Sequence, residues 1–171
     1  MLKHPTVDKL LEMKLTGMLS ALQQQIDMPE LQSLTFEDRL GLLIDAEFSE
    51  RETTQLSKRL KAAKLRQTAC LEDLDFKPGR GLDKLLIGQL AECDWIKKNM
   101  NIMIVGPTGV GKSYVSCALG QKACRSGHTV AYFRAPRFFQ ELTIARLGGT
   151  YERFLKRLQT FKVLVLDDFA L

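Results

Sequence analysis

An α/β fold, an incomplete parallel sheet with flanking helices preceded by a small all-α segment, is predicted by three stretches of this 171-residue sequence. The first is Asn101-Ile102-Met103-Ile104-Val105, then Gly106-Pro107-Thr108-Gly109-Val110-Gly111-Lys112-Ser113, then Tyr114 and an apolar run. It reads as buried strand, phosphate loop and helix. The second is Val163-Leu164-Val165-Leu166-Asp167-Asp168, a short apolar run ending in two carboxylates, as expected of a parallel strand whose C-terminal end faces a ligand crevice. The third is the N-terminal third, where leucines recur at helical spacing.

The loop carries the chemistry. Its glycines let backbone N–H groups converge on phosphate oxygens, Lys112 reaches the outer phosphates, and the Ser113 hydroxyl is placed to ligate Mg²⁺ at a helix N-terminus. Residues Gly106 through Tyr114 are therefore the candidate nucleoside-triphosphate-binding segment. Asp167 follows Lys112 by 55 residues, with one strand and two helical stretches between them, and fits the carboxylate that holds Mg²⁺ opposite Ser113. Asp168 is the candidate to orient or deprotonate an attacking water, so Lys112 and Asp168 are the candidate catalytic pair. A ligand-free glycine turn and a strand closed by an Asp turn are the bland alternatives. The order strand, loop, helix, strand, acid argues against both.

Taken in order, Thr6 to Gln25 places Leu10, Leu11, Leu15, Met18, Leu19 and Leu22 on one helix face, with Thr6 or Asp8 as the cap. Asp27-Met28-Pro29-Glu30 breaks it. Thr35-Phe36-Glu37-Asp38 resembles a capping box and starts a second helix running to about Arg66, with a basic end at Lys58, Arg59, Lys61, Lys64 and Arg66. Dipole complementarity and solubility account for that end more simply than a nucleic-acid contact. Lys77-Pro78-Gly79-Arg80-Gly81 marks a linker, and Leu82 to Ile96 is a further helix, whose Trp95 is a core residue before it is a base-stacking one. Thr129 to Phe133 is a strand, and helices follow at Pro136 to Arg146 and Thr150 to Thr160. Three units are expected: a helical N-terminal domain over 1–70 for partner or oligomer contacts, a linker and helix over 71–98, and a partial ATPase core over 99–171.

Net charge is +5, unevenly spread: residues 1–94 hold 13 Lys/Arg against 16 Asp/Glu, and residues 95–171 hold 12 against 4. A basic half of this kind favours a polyanion beyond the nucleotide. Arg134, Arg137, Arg146, Arg153, Lys156 and Arg157 are the candidate contacts to non-specific duplex DNA, against the alternative of a solvated face. Phe138, Phe139, Tyr151 and Phe154 between them suit a packed face more than base stacking. Cys70, Cys93, Cys117 and Cys124 show no metal-binding spacing and read as small core residues. No membrane span or secretory signal is recognisable, so a cytoplasmic protein is expected.

The loop at 106–113, the strand at 163–169, and above all Arg39-Leu40-Gly41-Leu42-Leu43-Ile44-Asp45-Ala46-Glu47-Phe48 leading to Arg59-Leu60-Lys61-Ala62-Ala63-Lys64-Leu65-Arg66 resemble the IstB family. These are AAA+ ATP-binding helpers of insertion-sequence transposition, similar to DnaC-type helicase loaders. The resemblance spans nearly the whole chain. It implies an AAA+-like P-loop NTPase core, ATP and Mg²⁺ as cofactors, DNA and the transposase of the same insertion sequence as partners, and a homo-oligomer for a full-length relative. A DnaC-like loader with a helicase partner, a noncatalytic remnant that keeps partner binding, and a small-molecule kinase are the alternatives. A complete AAA+ module would continue past Asp168 with a sensor strand, an arginine finger and a lid, so an apparently truncated chain with weak hydrolysis is the expectation.

Overall fold

The computed structural model describes residues 5–77 and 81–169. The chain divides into two compact units, Met1–Ser57 and Lys58–Leu171. In chain order the elements are α1 (Pro5–Glu12), α2 (Thr16–Asp27), a 3₁₀ turn (Pro29–Ser33), α3 (Phe36–Ala63), α4 (Lys84–Ala91), α5 (Asp94–Lys97), α6 (Lys112–Arg125), β1 (Val130–Arg134), α7 (Ala135–Leu147), α8 (Tyr151–Gln159) and β2 (Val163–Asp167).

In the first unit the single helix expected over 6–25 is two. The chain turns at Lys14, which has a positive φ of 57°, and α1 starts at Pro5, ahead of the predicted caps. The prediction at Thr35 holds: its Oγ1 accepts from the Asp38 N–H at 3.2 Å and donates to the Asp38 carboxylate at 2.7 Å. No side chain of its own caps α2. Glu47 of α3 does so instead, accepting from the Gly17 N–H at 2.9 Å and the Met18 N–H at 3.2 Å while pairing with Arg51 at 2.6 Å. Two of the orphan donors at a helix start are thereby satisfied from another helix. The approach is close enough that only a glycine fits at 17: an added Cβ would lie 2.6 Å from the Ala46 carbonyl oxygen and 2.7 Å from the Glu47 Cα. Gln25 completes the contact, donating to the Arg39 carbonyl at 2.8 Å and accepting from Arg39 Nε at 3.2 Å.

The Arg51 hydrogen bond, against a cost of burial and helped by the Met18 and Gly17 N–H groups, holds the Glu47 carboxyl below its ordinary value of 4.5. A depressed carboxylate stabilises the fold above its unfolded pKa, and the contribution disappears as pH falls through the folded value. The stability gap between the parent and Glu47→Gln, followed by helical signal in denaturant, is therefore expected to be largest at neutral pH and to close in acid. A gap unchanged from neutral pH to about pH 3 would show that ionisation of Glu47 is irrelevant to the cap.

The second unit is built on α6. Ile87, Val115 and Leu119 form one buried cluster, joined by Leu71, Leu74, Phe76, Leu82, Leu90, Ile102 and Ile104; Ala69, Cys117 and Ala118 form another, joined by Leu65, Leu71, Tyr114 and Tyr132. The cysteines behave as core residues, with Cys93, Cys117 and Cys124 buried and none bridged. β1 and β2 pair in parallel, Val130 with Val163 through Arg134 with Asp167. The two-residue alternation along paired strands puts Val130, Tyr132, Arg134, Val163, Val165 and Asp167 on the face towards α6, where Val130 and Val165 lie beside Gly120. On the other face Phe138 of α7 meets Phe133 of β1 at 5.2 Å and Phe154 of α8 at 5.9 Å between ring centroids. These aromatics pack, as the sequence suggested, though Phe139 keeps 48% of its surface exposed.

Two expectations are corrected. Residues 101–105 do not form a buried strand: Ile102 and Ile104 pack on the Ile87 cluster, but Met103 and Val105 are 85% and 83% exposed. A strand exists through its ladder, and among the described residues none lies alongside this segment; the described sheet has two strands. The helix expected over 82–96 is divided into α4 and α5 by Cys93, whose φ of 60° is incompatible with helix continuation. Asp83 caps α4, its Oδ1 accepting from the Leu85 N–H at 2.8 Å and the Leu86 N–H at 3.3 Å. Trp95 donates to the Leu90 carbonyl at 3.0 Å, a packing role.

Candidate functional site

The C-terminal ends of β1 and β2 and the N-terminus of α6 meet at one place. Gly111 precedes α6 with φ 96°, a left-handed conformation that a side chain would strain, and no side chain caps the helix. Its first-turn N–H groups and the positive end of its dipole are thus directed at the loop, with no acidic residue in the first turn to neutralise them. Lys112 curls across the loop and donates to the carbonyls of Gly106 and Pro107, both at 2.8 Å. The ammonium is therefore positioned by the loop's own backbone.

The structure brings Asp167 to Ser113. Burial opposes its charge, but hydrogen bonds from Tyr132 and Ser113, the Asp168 N–H and the Arg66 charge outweigh it and hold the carboxyl below the usual carboxylate range. Tyr132 donates to Asp167 Oδ2 at 2.5 Å, and Arg66 Nη1 lies 3.6 Å from the same oxygen. Asp168 sits just past the strand with φ 54°, a left-handed conformation that Asp tolerates better than most residues. Its Oδ2 is taken by Arg134 Nε at 2.7 Å, with Arg66 at 4.0 Å. Ser113 and Asp167 offer a hydroxyl and a carboxylate, both hard oxygen donors that suit Mg²⁺, which binds through few protein ligands and completes its shell with phosphate and water. The same set is poor for a softer metal, and among the described residues no cluster of three His, Cys, Asp or Glu forms a metal cage.

Beside the loop lies a cleft of about 240 Å³ lined by Asp73, Leu74, Asp75, Leu82, Val110, Gly111, Tyr114 and Val115. Of the predicted loop residues, Val110, Gly111 and Tyr114 reach it. The linker side was not legible beforehand, because the acidic and apolar residues at 73–75 carry no motif and acquire a role only by packing against α6. Trp95 does not line it.

The six candidate DNA cations do not form one set. Arg134 is paired with Asp168, Arg137 with Glu141 at 3.1 Å, and Arg146 lies over the Tyr151 ring at 5.0 Å. Arg153, Lys156 and Arg157 are exposed along one side of α8, while Phe154, Leu155 and Leu158 turn inward. The basic end of α3 is also more specific than dipole complementarity implied. Arg59 Nε donates to the Cys124 carbonyl at 2.9 Å, closing the C-terminus of α6, and Arg66 enters the acidic site.

A family model described as IstB-like ATP binding protein matches residues 8–171. The chain is similar to an ATP-binding protein of insertion sequence IS1162 from Pseudomonas fluorescens, at 45% identity over all of this chain and 74% of that protein. It is 46% identical to an insertion-sequence ATP-binding protein from Sinorhizobium fredii (strain NBRC 101917 / NGR234), again over its whole length and 70% of the relative. The ATP-binding protein of insertion sequence IS21 from Pseudomonas aeruginosa is more distant, 31% identical over 80% of this chain and 52% of the relative. Among the described residues no helix is long and apolar enough to cross a membrane.

Proposed function

The chain belongs to the IstB-like ATP-binding protein family, and from that premise we propose that it binds ATP with Mg²⁺ and acts as a DNA-associated helper that presents a target site to the transposase of its insertion sequence. One observation carries the nucleotide half: Ser113, at the start of α6, lies close enough to Asp167, at the end of β2, to help hold its carboxyl in the charged form beside an uncapped helix N-terminus. The loop from Gly106 to Ser113 receives the phosphates on backbone N–H groups and Lys112. Mg²⁺ held by Ser113 and Asp167 would supply neutralisation of the clustered phosphate charge. The base enters the cleft at 73–75, between the apolar walls Leu74, Leu82 and Val110, where Asp73 and Asp75 favour a base with an exocyclic amine. Asp168 is placed to orient water for hydrolysis and is held by Arg134. The direct test of this half is the loss of nucleotide affinity in Lys112→Ala.

The partners are duplex DNA, the transposase named by the family's biology, and further copies of the chain. Support for DNA comes from the second half's charge and from Arg153, Lys156 and Arg157, which face solvent on α8 and make no ion pair among the described contacts. Phosphate contacts release counterions, so the logarithm of affinity falls by roughly 0.9 per contact for each unit of log salt. Replacing all three residues by alanine is expected to weaken binding to random duplex and flatten that slope by about 2 to 3. Parent affinity that stays constant from low to moderate salt would remove the DNA half of the proposal and leave the nucleotide half standing.

A further inference from the structure

We infer that Tyr132 and Arg66 are positioning residues of the nucleotide site, an outer shell that fixes the carboxylate of Asp167 for Mg²⁺. The inference rests on the ATP·Mg²⁺ reading above and assigns roles that no sequence motif indicated.

The geometry follows from the strand register. Arg134 is the direct partner of Asp167, and Tyr132 is the partner of Val165. Tyr132 and Asp167 are therefore diagonal neighbours on the same face, a span that needs a long side chain. Tyrosine crosses it and brings a donor, and its hydroxyl reaches Asp167 Oδ2 at 2.5 Å. Phenylalanine would cross it and bring none. Arg66 approaches the same oxygen, its Nη1 standing 3.6 Å from Asp167 Oδ2.

Arg66 is delivered by the backbone on both sides. Lys64 turns the chain away from α3 with φ 50°, Leu65 packs towards Gly120, and Ala69 is 1% exposed in the cluster with Cys117 and Ala118. The guanidinium lies 3.6 Å from Asp167 and 4.0 Å from Asp168. Consecutive carboxylates repel each other, and Arg134 neutralises only the second at close range. Both partners converge on one oxygen of Asp167, Oδ2, and so set the rotation of the whole carboxylate. Mg²⁺ tolerates little departure from octahedral geometry, which makes that rotation consequential.

The test uses a fluorescent ribose-labelled ATP as probe, titrated with MgCl₂ and separately in EDTA, with the whole chain. Tyr132→Phe is expected to raise the Mg²⁺ concentration at half-maximal nucleotide binding about tenfold, the size typical of lost outer-shell hydrogen bonds. Affinity in EDTA should stay within about twofold of the parent, because the phosphate loop is untouched. Arg66→Ala should move the Mg²⁺ midpoint in the same direction. A midpoint unchanged in Tyr132→Phe, or a loss of affinity equal with and without Mg²⁺, overturns the assignment, the second result marking a purely structural tyrosine. A midpoint lowered in Arg66→Ala would show that Arg66 competes with the metal and would overturn its half. A parent protein without nucleotide affinity would instead bring down the ATP·Mg²⁺ reading itself, which separates the two failures.

Discussion

Replacing Lys112 by alanine is expected to weaken ATP binding by about 10- to 100-fold, the effect of removing one charge-assisted hydrogen bond worth ~1.5–3 kcal/mol. The magnitude rests on two features. Lys112 is already held over the loop by the Gly106 and Pro107 carbonyls at 2.8 Å, so little side-chain freedom remains to be lost when phosphate binds. The loop also has few competing charges, since the first turn of α6 contains no acidic residue. Lys112→Arg is the informative control, because it keeps the charge but replaces a compact ammonium by a planar fork that the two carbonyls do not fit. Fluorescent-nucleotide titration of the three proteins decides the matter, and equal affinities for parent and Lys112→Ala would end the assignment of this loop as a phosphate site.

Gly17→Ala is expected to destabilise the first unit by about 1–3 kcal/mol, a large effect for one methyl group. In an ordinary helix the exchange would stabilise, since alanine has the higher helix propensity. Here the added carbon would sit 2.6 Å from the Ala46 carbonyl oxygen and 2.9 Å from its carbonyl carbon, and both are backbone atoms of a helix that cannot yield by changing a rotamer. The two helices must separate, which also pulls the Gly17 and Met18 N–H groups away from Glu47. Denaturant unfolding followed by helical signal reads the change. A variant as stable as the parent would mean that α2 and α3 do not approach this closely in solution.

The glycine-rich loop pattern, the acidic pair Asp167 and Asp168 that closes and follows β2, and the helices α7 and α8 were legible because each depends on local constraints: glycine spacing, a switch from strand to helix pattern, apolar runs of the right length. The break of the first helix at Lys14 and that of the third at Cys93 were not. A left-handed lysine or cysteine carries no compositional mark, whereas a glycine at either place would have announced the turn. The Asn101–Val105 run was misjudged for a different reason. Its side chains suit a strand, but a strand also requires a neighbour to pair with, and that is a property of the whole sheet.

The same division holds at the site. Sequence alone marked Lys112, Ser113, Asp167 and Asp168 as the candidate chemistry-bearing groups, because a glycine-rich loop pattern and a carboxylate at a strand end are specified by short stretches of chain. Tertiary structure decided which other side chains act on them. Tyr132 was an ordinary strand former until the register set it diagonally from Asp167, and Arg66 was one cation among several at the end of α3 until the packing of Leu65 and Ala69 on α6 aimed it at the carboxylates. Arg134 was a candidate DNA contact until its pairing placed it against Asp168. The physical reason is common to all three. Hydrogen bonds and ion pairs depend on separations of a few ångströms between residues 34 to 101 positions apart in the chain, and local sequence sets the donors and acceptors but not those distances.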